Sequence, residues 1–454
     1  MPLELAIAAA IVTLVAGGIA ILEFTVKPIR RYVFKRGDPP VTTREDLERL
    51  KQDIFEYFNH QFGIAARPAE QLVASSDEDR FRLLAQATTA QREQRYAEAV
   101  DLLVPCLRPG LGAEERMALH NLIGNSYMYM GEQARAEPHY REVQSAALEA
   151  GDKEGQAVAL GNLGVVYGER GELDRSEEHQ KKALAIHEGT GNRLGQADAF
   201  GNLGIVYARR GELNQAEEHL KKAIVSHEEI GDKLRQANDL GNLGIVYADR
   251  GDLQKAEEHH QRALAIHEEI DNKRGQASQL GSVGTIAAIR GDLDDAEMHY
   301  KRALAINEEI GNKVGQASDL GNLGNVYTDR GDLNGAEEHY RKALAIDEEI
   351  GDRAGQANAL GGLGNVYKDR GDLDRAEEHH KKALAIDEEI GNKLGQADDL
   401  GNLGFLAMEQ GNAARAIDLL REAAFLYDAL AVGGQNPAKV RAALQRLEAG
   451  SPQE

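Results

Sequence analysis

Over residues 113–423 the apolar and polar positions repeat every forty residues, and no insertion disturbs the register. A fixed period of this length marks stacked supersecondary units, each too small to bury its own hydrophobic face. Each period holds two helical stretches. Residues 353–370 carry Leu360, Leu363 and Tyr367 at i, i+3 and i+7, and residues 373–390 carry Leu373, Ala376, Ala383, Leu384 and Ile390. Each stretch therefore predicts a helix with one buried face. Gly371-Asp372 and Gly391-Asn392 follow the two stretches; glycine suits the left-handed position past a helix end, and Asp or Asn suits an N-cap. About six large side chains at roughly 1.5–3 kcal/mol each cannot offset ordering some forty residues at about 1–2 kcal/mol apiece, so a lone hairpin should not fold. Stacking on neighbours must supply the difference.

The same pattern frames the two ends. Residues 79–93, followed by Ala97-Glu98-Ala99, read as a divergent first unit, so the array is expected to span 77–430 as about nine hairpins. After Asn436-Pro437, the residues Val440, Ala443, Leu444 and Leu447 mark the apolar face of a helix over 437–449, suited to capping the last hairpin. Toward the N-terminus the pattern changes. Beyond a short tail, 1–4, residues 5–22 are uncharged and apolar, nearly long enough at about 1.5 Å per residue to cross a hydrocarbon core. A transmembrane helix over 5–26 is the expectation. A cleaved secretory signal is the competing reading, weakened by Glu4, by the lack of Lys or Arg ahead of the run and by the lack of a small-residue cleavage site. Lys27, Arg30, Arg31, Lys35 and Arg36, in a basic segment over 27–42, place everything that follows in the cytoplasm by the positive-inside rule. The expected localisation is thus the plasma or inner membrane, single-pass, with the repeats cytoplasmic. In 43–62, Leu47, Leu50, Ile54, Tyr57, Phe58 and Phe62 recur at threes and fours. That helix either builds a short coiled-coil stalk or packs on the first hairpin or the bilayer. Residues 63–76 read as a linker.

The quartet Gly-Asn-Leu-Gly begins at Gly161, Gly201, Gly241, Gly321 and Gly401, with Gly281-Ser282-Val283-Gly284 and Gly361-Gly362-Leu363-Gly364 in the same register. With Tyr367, Gly371, Ala376 and Ala383, this pattern resembles the tetratricopeptide repeat, which sets small residues where its two helices approach and Tyr where a wedge is needed. The forty-residue length and the linker Glu-Glu-Ile-Gly-Asp-Lys-x-x-Gln-Ala are similar to the long-repeat branch, that of Pins-type adaptors and kinesin light chains. The resemblance implies an all-α, right-handed superhelical solenoid whose first helices line a concave groove that receives peptides or domains. It implies no particular partner.

On such a wall Asn162, Asn202, Asn242, Asn322 and Asn402 share one repeat position, and Asn125, Asn325 and Asn365 extend the row. A primary amide both donates and accepts, so it can grip a peptide backbone whatever its side chains. The alternative employment of these amides is bonding to neighbouring helices. One turn further lie Asp249, Asp329 and Asp369, with Glu169 and Glu409, while Arg209 and Ile289 break the series. These acids form either a lip that prefers basic guests or a plain solvated surface. The unit at Gly281 departs most, with Ser282, Thr285, Ala287 and Ile289; it predicts either an apolar pocket midway along the groove or a looser joint.

A formal net charge of −22 argues against nucleic acid, which needs clustered Lys and Arg. The single cysteine, Cys106, has no intramolecular partner and sits in an apolar helix end. His139, His179, His219, His259, His299, His339 and His379 form a ladder at one repeat position. Stacked helices roughly 8–10 Å apart hold such rungs too far from one another to share a zinc ion, so the ladder is read as duplication and no metal is expected. There is no phosphate loop, no His-Glu-x-x-His and no Gly-x-Ser-x-Gly elbow, and hence no catalytic residue or cofactor is expected. The sequence reads as a membrane-anchored scaffold that holds partner proteins or peptides. A structural protein assembling with copies of itself, as a homo-oligomer, is the alternative, and an enzyme is the least favoured reading.

Overall fold

Of the 454 residues, a computed structural model describes 78–92, 95–430 and 434–450, in two compact units divided between Arg210 and Gly211. All regular structure among these residues is helical, and no strand occurs among them. The reason lies in the ends of the helices as much as in their faces. Asn192, Asp232, Asp252, Asn272, Asn312, Asp332, Asp352, Asp372, Asn392 and Asn412 each accept a backbone N–H three residues on, which satisfies one of the orphan donors of a helix N-terminus. Gly191, Gly231, Gly351 and Gly391 end helices at φ of 73–80°, where a side chain would clash with the backbone. Asp271 takes the corresponding conformation at φ 55° without being glycine.

In the first unit, α1 (Glu78–Arg92) pairs with α2 (Tyr96–Leu103), α3 (Ala113–Tyr129) with α4 (Gln133–Ala150), and α5 (Lys153–Glu169) with α6 (Leu173–Thr190). Helix α7 (Arg193–Arg209) packs on α6. A 3-10 turn over Val104–Cys106 buries Cys106, whose thiol lies 3.5 Å from the Leu102 carbonyl.

In the second unit, α8 (Leu213–Ile230) packs on α9 (Lys233–Asp249), which pairs with α10 (Leu253–Glu269). The pairs α11 (Lys273–Arg290) and α12 (Leu293–Glu309), α13 (Lys313–Asp329) and α14 (Leu333–Ile350), α15 (Arg353–Asp369) and α16 (Leu373–Ile390), and α17 (Lys393–Glu409) and α18 (Ala413–Ala429) follow. Helix α19 (Gln435–Gly450) closes the unit, with Val440 and Ala443 buried against Leu400, Leu420 and Tyr427.

Within each unit the odd-numbered helices of successive pairs touch one another: α3 with α5 and α5 with α7 in the first, and α9 through α17 in turn in the second. The even-numbered helices pack chiefly on odd-numbered ones. Each unit is therefore a two-layer helical solenoid with the odd-numbered helices in a layer of their own. Leu360, Leu363 and Tyr367 are buried as their spacing requires, and Leu363 and Tyr367 share a cluster with Tyr340, Leu403 and Leu406. Ile390 departs from the expected stripe, for it sits in the last turn of α16 and stays 40% exposed.

Segments 1–4, 5–26, 27–42, 43–62 and 63–76 lie outside the described residues. The single-pass placement in a plasma or inner membrane requires correction. Among the described residues no helix is long and apolar enough to cross a membrane.

Candidate functional site

The layer of odd-numbered helices presents one stripe of side chains that the hairpin cores do not use. In α9 it consists of Asn238, Asn242, Ile245 and Asp249; in α13, of Ser318, Asn322, Asn325 and Asp329; in α15, of Asn358, Asn365 and Asp369, with Gly362 at the remaining position closely packed on the Tyr340 ring. The spacing of four, three and four puts each set on one helix face. The buried leucines and valines between them hold that face toward solvent: Leu323 and Val326 of α13 are nearly inaccessible, whereas Asn325 and Asp329 are exposed.

The asparagines divide into two groups. Asn125 accepts a hydrogen bond from the Tyr140 hydroxyl at 2.7 Å, and Asn325 one from Tyr340 at 2.6 Å. The amide of Asn162 donates to Asn121 at 2.8 Å, and that of Asn202 lies 3.5 Å from Gln180. These four are engaged within the chain. Asn242, Asn322, Asn365 and Asn402 stand half-buried in the same stripe with no intramolecular hydrogen bond to the side chain. All four belong to the second unit.

The acidic positions divide likewise. Glu169 is paired with Arg209 at 2.6 Å. Asp249, Asp329 and Asp369 are exposed and meet no cation, and Glu409 is exposed in the same register. Beside Asp329 the stripe dips into a cavity of ≈ 280 Å³ between α11 and α13, lined by Thr285, Ala288, Ile289, Tyr300, Asn322, Asn325, Val326 and Asp329. This is the repeat for which the sequence offered either an apolar pocket or a looser joint.

The architecture and the sequence converge on one family. A model of the MalT-like TPR region matches residues 243–447, and a tetratricopeptide-repeat model matches residues 115–189 and 195–269. The chain belongs to the tetratricopeptide-repeat family. Among solved structures it is similar to a signal-transduction ATPase with a tetratricopeptide repeat sensor from Pyrococcus horikoshii, at 17% identity and a TM-score of 0.53 over 79% of this chain and 55% of that one. It thus spans about half the length of that ATPase. It is also similar to aspartyl phosphate phosphatase F from Bacillus subtilis, at 13% identity and a TM-score of 0.50 over 77% of this chain and 96% of the other. Kinesin light chain-like TPR repeats from Podosopora anserina match at 16% identity over 43% of this chain and 95% of that one, with a TM-score of 0.37. No curated protein matches the chain.

Two further features of these tetratricopeptide repeats bear on the site. The His ladder is part of the packing: His139, His179, His259, His339 and His379 lie against Tyr127, Tyr167, Tyr247, Tyr327 and Tyr367 with ring centroids 4.7–5.6 Å apart. His179, His219, His339 and His379 bond a backbone carbonyl four residues back. Among the described residues no three of His, Cys, Asp or Glu converge as a metal site.

The second feature is a latch that sequence reasoning missed. Glu217 accepts from the Tyr247 hydroxyl at 2.7 Å and from Arg250 at 2.5 Å, and Lys221 lies 2.6 Å away. The same set recurs as Glu297 with Tyr327, Arg330 and Lys301, and as Glu337 with Tyr367, Arg370 and Arg341. Each latch ties a second helix to the first helix of the next repeat. Hydrogen bonds from Lys301 first, then from Tyr327 and Arg330, hold the Glu297 carboxyl down at about 2. At Ala287 the Tyr is missing, and Glu257 keeps only Arg290 and Gln261. The signal was available in the sequence, since Glu, Tyr and Arg recur in the forty-residue register, but thirty residues separate the Glu from its Tyr.

Proposed function

We propose that the chain is a protein-binding scaffold that receives an extended, basic partner segment along the exposed stripe of its odd-numbered helices in the second unit. The single observation that carries this reading is the pairing, on one helix face, of amides without an internal hydrogen bond at Asn242, Asn322, Asn365 and Asn402 with acids without a cation at Asp249, Asp329 and Asp369. Leaving such groups idle gains nothing for the fold, whereas a guest backbone satisfies the amides and a Lys- or Arg-rich guest the acids. A net charge of −22 supports the same sign of partner. Asn125, Asn162 and Asn202 hold the equivalent repeat positions in the first unit but are already engaged, so they contribute less; Asn325 of the second unit retains its amide N–H. Binding, rather than catalysis, is what such a surface performs.

The test is the triple substitution Asn322→Ala, Asn365→Ala and Asn402→Ala in the full chain. Partner affinity should fall by about tenfold or more, with the helical circular dichroism and the melting temperature little changed. Affinity unchanged in the folded variant removes the proposal. Salt is the independent probe, because affinity resting on Asp249, Asp329 and Asp369 weakens as ionic strength rises.

A further inference from the structure

We propose that the cavity between α11 and α13 is the specificity pocket of this face, and that it takes one bulky apolar side chain from a guest whose neighbouring residue is lysine or arginine. The inference rests on the binding role just described and adds what the guest must be.

Size is the first argument. At ≈ 280 Å³ the cavity falls just short of the roughly 300–1,000 Å³ that small-molecule and cofactor sites occupy. It has room for a side chain rather than for a nucleotide.

Chemistry is the second. Ala288, Ile289 and Val326 supply apolar surface, and on the α11 wall the one polar group is already bonded: the Thr285 hydroxyl lies 2.9 Å from the Tyr300 hydroxyl and 3.0 Å from the Gly281 carbonyl, so the free polar groups of the cavity, Asn322 and Asp329, are all on the α13 wall. A polar guest group set against the α11 wall, at Ala288 and Ile289, would lose water without finding a partner, while an apolar one gains by leaving water. Ile289 is 62% exposed at the register position where Asp249, Asp329 and Asp369 stand in neighbouring repeats, so the apolar character is local to this repeat.

Charge is the third. Asp329 lines the same cavity, is exposed and meets no cation. It lies one turn beyond Asn325 and two beyond Asn322, whose amide is free for the guest backbone. An apolar anchor seated against Ile289 and Val326 therefore carries its flanking cation to Asp329.

The experiment selects a random heptapeptide library on the full chain and resynthesises the best binder. Peptides joining an aliphatic or aromatic residue to an adjacent Lys or Arg should be enriched. Ile289→Asp should weaken the best peptide about tenfold. Replacing the apolar residue of that peptide by serine should cost as much, with no additional loss when both changes are combined. Asp329→Asn should weaken it severalfold and flatten its salt dependence. Both substitutions are at exposed positions, and unchanged circular dichroism checks the fold. If selected peptides bind the Ile289→Asp variant as well as the parent yet are lost with the triple asparagine variant, the pocket assignment is wrong and the binding face stands. Peptides indifferent to both variants, or no enrichment at all, overturn both.

Discussion

Gly321 and Gly324 lie three residues apart in α13 and should respond to alanine in opposite ways. A Cβ at Gly321 meets nothing within 4 Å, whereas one at Gly324 would sit 2.7 Å from the Tyr340 ring. Alanine at Gly321 then gains only helix propensity and should stabilise the chain by about 0.5–1 kcal/mol. Alanine at Gly324 must push a buried ring and should destabilise it by about 1–3 kcal/mol. Thermal or urea unfolding of the two variants checks the signs, and two losses of similar size would show that the two glycines are packed alike. In α13 the quartet thus hides two jobs, close approach at Gly324 and open space at Gly321, which the repeat pattern does not separate. The asparagines behave similarly. Asn322 and Asn325 both belong to the stripe on α13, yet Asn325 is engaged by Tyr340, fifteen residues on, and Asn322 is idle.

At the scale of helices, the latches and the buried acids give stability two opposed pH limbs. Glu177, Glu217, Glu297 and Glu377 are lowered from 4.5 to about 2, by hydrogen bonds from Lys181, Lys221, Lys301 and Arg415 first. A carboxyl whose folded pKa is depressed contributes stability that is present above 4.5 and is lost as pH falls toward 2. Burial has the reverse effect on Asp319, raised from 3.8 to about 7 against a hydrogen bond from Asn307, and on Asp347, raised to about 6 by burial and then by Asp352. Their contribution is complete below 3.8 and is lost as pH rises through 6 to 7. Melting temperature should therefore be highest near pH 5 and decline on both sides. Asp319→Asn should flatten the decline toward pH 8, and Glu297→Gln part of the decline below pH 4.5. A flat profile from pH 5 to 8 in the parent chain would contradict the buried acids. The same view explains why Ala287 matters: without a Tyr, the joint at Glu257 lacks one of the bonds that its neighbours have.

At the scale of the whole molecule, each unit is stable only as a stack, and a stack must be closed. Helix α19 covers Leu420 and Tyr427, both almost inaccessible, with Val440 and Ala443. Deleting residues 435–454 uncovers that apolar end, removing roughly 3 kcal/mol or more of burial. The shortened chain should melt earlier and associate in a concentration-dependent way by light scattering, since an open repeat end is a ready template for another. A monomer with an unchanged melting temperature would show that the helix caps nothing.

The forty-residue period, the helix ends and the faces of the helices were all written in the sequence, because they follow from local rules: spacing selects a face, glycine a left-handed end, Asp and Asn a cap. Leu360, Leu363 and Tyr367 are buried for that reason. Local rules do not say which polar groups find partners. Whether Asn162 reaches Asn121 forty-one residues back, or Glu217 meets Tyr247, depends on how one repeat stacks on the next. The idle amides and acids, the cavity beside Ile289 and the stacking of His on Tyr are consequences of that stacking, so tertiary structure alone decided them. A membrane placement was inferred from a short apolar run, a purely local signal, whereas no described helix is apolar enough to cross a bilayer.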